Sequence, residues 1–184
     1  MMDADISANF QPNATDAVIA KGLLAYEGTP LAILYFAKHC DALSDYGYWF
    51  LLGSLWVSYS GWSDLTLWRH LFQSARPKRN TSLMKPSEWT AFKRLPEKIT
   101  AYRAHRQGET DWISYTLDKT IAERFARERG VSHIVEYQIR KKDVLALFLR
   151  REEQEILMLT PRFAKRVAQW PIPAHAIVSG GDPT

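Results

Sequence analysis

The hydrophobic period of this chain changes at Leu95-Pro96. Upstream, apolar residues recur at helical spacing; downstream they fall in short runs of strand length. Residues 18–26 read as a short helix closed by Gly28. Thr29-Pro30 opens the next, with Thr29 as N-cap, Pro30 in the first turn and apolar Leu31 to Ala37 behind them. Ser44-Asp45 opens another through Trp49, Phe50, Leu52 and Trp56, and Ser63-Asp64 one more through Leu67, Trp68, Leu71 and Phe72. Residues 76–85 read as a polar, basic, exposed connector, and Pro86-Ser87-Glu88 starts a short helix ending near Arg94. After Pro96, strands are expected at 99–104, 112–117, 133–139, 144–149 and 155–159, with a further one at 175–179. The fold class is therefore α+β, with a helical, aromatic-rich region over 1–94 and a sheet core over 95–184.

Charge divides at nearly the same place. Residues 1–75 hold three basic and seven acidic side chains, net −4, whereas 76–184 hold twenty-one and thirteen, net +8. A basic surface attracts a dinucleotide, a nucleic acid or an acidic protein. Cys40 is the only cysteine, which precludes an internal disulfide or a cysteine-based zinc site and suits a reducing, cytoplasmic compartment. The five histidines show no ligand spacing, so no metal is expected. Residues 46–63 lack a formal charge, but Gly47, Gly53, Gly61 and four serines keep them short of a membrane span. The acidic start, Met-Met-Asp-Ala-Asp, carries no apolar leader block.

Chemistry-bearing residues collect downstream of Pro96. Arg151-Glu152-Glu153-Gln154-Glu155 leads into the apolar run Ile156-Leu157-Met158-Leu159. In an extended strand Glu153 and Glu155 project to one side. Such like charges repel and lose solvation, which suits either a paired-carboxylate site or a solvated strand end. Arg103 lies among small and apolar neighbours in Ile99-Thr100-Ala101-Tyr102-Arg103-Ala104-His105. Ser114 and Thr116 share a strand face just before an amphipathic helix over 118–129, in which Ile121, Ala122 and Phe125 form the packing side and Asp118 or Thr116 the cap.

In chain order these are a strand arginine, a Ser-x-Thr strand ahead of a helix, and Glu-x-Glu. Order and spacing resemble the mono-ADP-ribosyltransferases of the arginine–serine–glutamate class, which includes arginine-modifying toxins and phage relatives. The resemblance covers about residues 95–162. It implies a split mixed β-sheet core with NAD, a co-substrate, in the cleft between its halves. Arg103 would bind phosphate and ribose oxygens with its permanently charged donor fork. Ala104, where glycine is usual, would offer its backbone to the nicotinamide amide. Ser114 would orient the catalytic glutamate and the ribose; Thr116 retains a hydroxyl, and Tyr115 stands where a smaller residue is usual and would reshape the pocket wall. Glu155 would hold the nicotinamide-ribose 2′-hydroxyl and stabilise positive charge as the glycosidic bond breaks. Glu153 would orient or deprotonate the acceptor, and glutamate there goes with arginine. Tyr115, Trp112 and Phe125 are candidates to stack on nicotinamide, with Phe125 reading first as core and strand alternation turning Tyr115 to the face opposite Ser114.

The implied activity is transfer of ADP-ribose from NAD to a macromolecular acceptor, a protein arginine ahead of a nucleic acid, with no membrane involved. An NAD glycohydrolase needs the same Glu155. The reading from another class is a non-catalytic partner-binding or inhibitor module that docks through the Trp-rich helices. A nucleic-acid binder rests on charge alone.

Overall fold

The computed structural model describes residues 4–59, 61 and 64–173. Its first part is helical: α1 (Ala14–Leu24), α2 (Leu31–His39), α3 (Asp45–Ser58), α4 (Leu65–Phe72), α5 (Arg79–Leu83) and α6 (Pro86–Lys93). Side-chain oxygens satisfy the free amides at several starts. Asn13 accepts from the Asp16 amide at 2.9 Å, so α1 begins earlier than its apolar pattern suggests. Ser44 caps α3 at 3.0 Å and Asp64 caps α4 at 3.0 Å. Helix α5 corrects the expectation of an exposed connector, because Ser82 and Leu83 are buried there. Its seat requires Gly53, where an added Cβ would stand 2.9 Å from Leu83 Cδ1 and 3.0 Å from the Leu83 carbonyl oxygen. No helix among the described residues is long and apolar enough to cross a membrane.

The second part holds β1 (Lys98–Arg103), β2 (Ser114–Thr116), α7 (Lys119–Arg129), β3 (His133–Arg140), β4 (Ala146–Phe148), β5 (Glu155–Leu157) and β6 (Lys165–Pro171). Together they make one α+β architecture with a sheet of order β4-β5-β2-β1-β3-β6. Every pairing is antiparallel, which corrects the expected mixed sheet. The reason is topological. Helix α7 carries the chain from β2 to β3, which run the same way, but β1 lies between them and opposes both. Strands β1 and β2 register at a single pair, Tyr102 with Thr116, the narrowest seam within one six-stranded sheet.

Strand β6 was absent from the sequence expectation, and the expected strand at 175–179 lies outside the described residues. The main core is continuous across both parts of the chain. Trp49, Leu52, Trp68 and Phe72 from the helices meet Ile99, Tyr115, Ile139, Phe148 and Ile156 from the sheet. A smaller cluster of Ala104, Ala122, Ala126 and Ile134 seats α7 on the opposite face. Alternation along β3 serves both, with Ile134 towards α7 and Val135, Tyr137 and Ile139 towards the main core.

Candidate active site

A shallow cleft opens at the seam of the sheet, with about 30 Å³ of space that a water-sized molecule can enter. Strand β1 contributes Tyr102, Arg103 and the following Ala104; β2 contributes Ser114, Tyr115 and Thr116; α7 contributes Phe125 and Arg129; Glu153 and Glu155 close the far side. The residues singled out in the sequence thus border one space. A wider hollow over residues 74–81 has Arg76, Lys78 and Arg79 at its rim but neither carboxylate nor histidine.

Glu155 is the most constrained group in the cleft. Thr116 is its register partner on β2, and Ser114, two residues along on the same face, donates its hydroxyl to Glu155 Oε1 at 2.5 Å. Trp56 Nε1, from the last turns of α3, donates to the same oxygen at 3.1 Å. Desolvation pushes the Glu155 carboxyl above its usual range and the nearby Glu153 charge adds to this. The two hydrogen bonds and Arg151 oppose that shift without cancelling it.

Glu153 reaches the cleft by a route other than the extended strand expected of it. Strand β5 begins only at Glu155, and the flanking Glu152 and Gln154 have left-handed backbone, φ 57° and 44°. Non-glycine residues adopt this region at a cost, so the turn is held by its neighbours. Thr116 Oγ1 donates to the Glu153 carbonyl at 2.7 Å, and the Leu117 amide donates to the Gln154 carbonyl at 3.0 Å. Thr116 therefore positions the turn. The Glu153 carboxylate meets Arg151 Nη2 at 3.6 Å and Arg124 Nη2 at 3.8 Å.

Arg103 is engaged more fully than a ready phosphate ligand would be. Glu109 accepts from its Nε at 2.9 Å and from its Nη2 at 2.6 Å, and the Ser114 carbonyl accepts from Nη1 at 2.8 Å. Glu109 also meets His105 Nδ1 at 2.7 Å, and His105 Nε2 lies 2.6 Å from the Tyr137 hydroxyl. Burial raises the Glu109 pKa, but the His105 and Arg103 bonds and charges overcome it and hold the carboxyl at about 2. The more available cation is Arg129. Among the described residues its hydrogen-bond partner is the Ala104 carbonyl. Burial, then the charges of Arg103 and Arg106, push its pKa down to about 10 against the opposing charges of Glu109 and Glu128. Ala104 is itself buried, and its carbonyl already accepts this bond.

Tyr115 borders the cleft, but its ring is 2% exposed and packs in the main core, accepting from Trp112 Nε1 at 2.8 Å and lying edge-on to Tyr137. Alternation along β2 sends the ring to the face opposite Ser114, as the strand pattern of the sequence indicates. The aromatics that border the cleft with side chains outside that core are Phe125 and Tyr102. Among the described residues no group of three or more His, Cys, Asp or Glu could hold a metal ion.

Sequence reasoning missed Trp56, Glu109 and Arg129. Trp56 comes from a distant helix, and Glu109 from a loop that turns at Gly108, φ 72°. Arg129 reads from sequence as one of several basic residues at a helix end. No protein-family model matches the chain, and neither a curated protein nor a solved structure matches it.

Proposed function

We propose that this chain is a mono-ADP-ribosyltransferase with an ADP-ribosyltransferase-like core. It would cleave NAD and transfer ADP-ribose to a macromolecular acceptor, a protein arginine in preference to a nucleic acid. The observation that carries this reading is the Glu155 carboxylate at the sheet seam, held on one oxygen by Ser114 and Trp56 and partly withdrawn from water. A carboxylate fixed in this way is preorganised for a cation that develops beside it, and needs no solvent rearrangement to stabilise it. NAD supplies that cationic centre when its glycosidic bond breaks. Around it, Ser114 orients Glu155, Thr116 sets the turn that presents Glu153, and Arg129 offers unspent donors to an anionic diphosphate. Arg103 buttresses β2 through the Ser114 carbonyl and reaches phosphate only through donors that Glu109 leaves free.

Glu155→Gln keeps the shape and removes the charge. With labelled NAD and a lysate, the variant is expected to lose both nicotinamide release and macromolecular labelling by at least about 100-fold, the scale of a lost transition-state charge contact. Undiminished release would sink the assignment of Glu155. Wild-type release without any labelled macromolecule would favour a glycohydrolase, and absence of both with no NAD binding would favour the partner-binding module.

A further inference from the structure

We propose that the chain modifies itself on Arg124, a step that rests on the transferase reading above. Glu153 is the carboxylate assigned to the acceptor, and the cations that meet it are arginines of this same chain. The two are not equivalent. Arg151 is tethered, its Nη1 donating to the Val57 carbonyl at 2.9 Å, so that turning it into the cleft breaks a hydrogen bond. Arg124 has a side chain 52% exposed, and its two ion pairs are loose, 3.7 Å to Glu128 and 3.8 Å to Glu153. Both exceed hydrogen-bond length. Its guanidinium lies 5.1 Å from the centroid of Phe125, a ring that borders the cleft. Arg124 also sits on α7, which follows directly on β2 and Ser114. Acceptor and the group that orients Glu155 therefore sit on consecutive elements of the chain.

In the step, an Arg124 guanidinium nitrogen forms a bond to the ribose carbon that bears nicotinamide. The bond from that carbon to nicotinamide breaks, and nicotinamide leaves with the bonding pair as a neutral molecule. Glu153 takes the proton that the guanidinium nitrogen gives up, and passes it to solvent. The modified Arg124 no longer offers a free guanidinium to Glu153, so one equivalent per chain is expected at this residue.

The test uses the full chain and NAD with no added acceptor, following nicotinamide release and mapping modified peptides by mass spectrometry. The expected result is one ADP-ribose on Arg124, formed at a rate per molecule that survives about tenfold dilution, as an intramolecular step requires. Arg124→Lys keeps a cation beside Glu153 and is expected to lose the mark rather than relocate it. Nicotinamide release with Arg124 unmodified, or a mark found on Arg151, overturns the proposal and leaves the transferase reading standing. A rate that falls with dilution overturns the intramolecular step. Absence of nicotinamide release overturns both.

Discussion

Replacing Trp56 with Phe removes one of the two donors that hold Glu155 Oε1 and keeps most of the ring volume in the helix core. A hydrogen bond to a charged group is worth about 1.5–3 kcal/mol, so activity is expected to fall about tenfold or more. Because that bond opposes the desolvation that raises the Glu155 pKa, the acidic limb of the pH–activity profile should move to higher pH. An unmoved limb would mean that Trp56 only packs. Glu109 behaves in the opposite sense. Its carboxyl is held at about 2 against an ordinary 4.5, so the unfolded chain takes up its proton first as pH falls. The stability this supplies, on the order of 3 kcal/mol, is complete above pH 4.5 and lost as pH falls towards 2. Denaturant midpoints of Glu109→Gln and wild type should therefore differ most near neutrality and converge in acid. Glu155, Ser114 and Thr116 were legible because strand alternation is local. Trp56, which lies 99 residues from Glu155, was not, since no local pattern encodes a contact made by tertiary packing.

At the scale of elements, the turn that leads into β5 is anchored from the helical side. Glu88 is 1% exposed, and its carboxylate accepts from Arg150 Nε and Nη2, each at 3.1 Å, from the Leu149 amide at 3.0 Å and from the Lys85 amide at 2.8 Å. It thus caps α6 and pins the end of β4 at once. Glu88→Ala strands a largely buried guanidinium, and the expected loss is about 3–5 kcal/mol, read from the denaturant midpoint. A loss below about 1 kcal/mol would place this pair among screened surface contacts. Helix starts were largely readable here because Ser44, Asp64 and Pro86 act on their own next turn. Strand β6 was not readable: it is exposed along nearly its whole length and so shows no alternation, and its place comes from pairing with β3. The Glu153 turn failed as a strand for a related reason, since its left-handed residues are held by Thr116 and Leu117 rather than chosen by Glu152 or Gln154.

Across the whole molecule, the change of period at Pro96 marks a change of architecture, while the core runs through it. Helix α4 reaches the site loops through Arg69, which donates from Nε to the Leu159 carbonyl at 2.8 Å and pairs with Asp111 ahead of β2. Helix α3 supplies Trp56 as a donor to Glu155 and a wall of Trp49 and Leu52 to the core that also holds Ile99, Tyr115 and Ile156. Apolar burial contributes about 25 cal/mol per Å², so stripping the helices from the sheet would break up the shared core that holds Tyr115, Phe148 and Ile156 together with Trp49, Leu52 and Trp68. The two regions should therefore unfold together. Five of the seven tryptophans lie between residues 49 and 89, so fluorescence reports the helical part, while hydrogen exchange along β1 and β3 reports the sheet. One shared denaturant midpoint is expected from both probes. Two separated midpoints would instead make the helical part an independent unit, and Trp56 could then brace Glu155 only while that unit stays folded and docked.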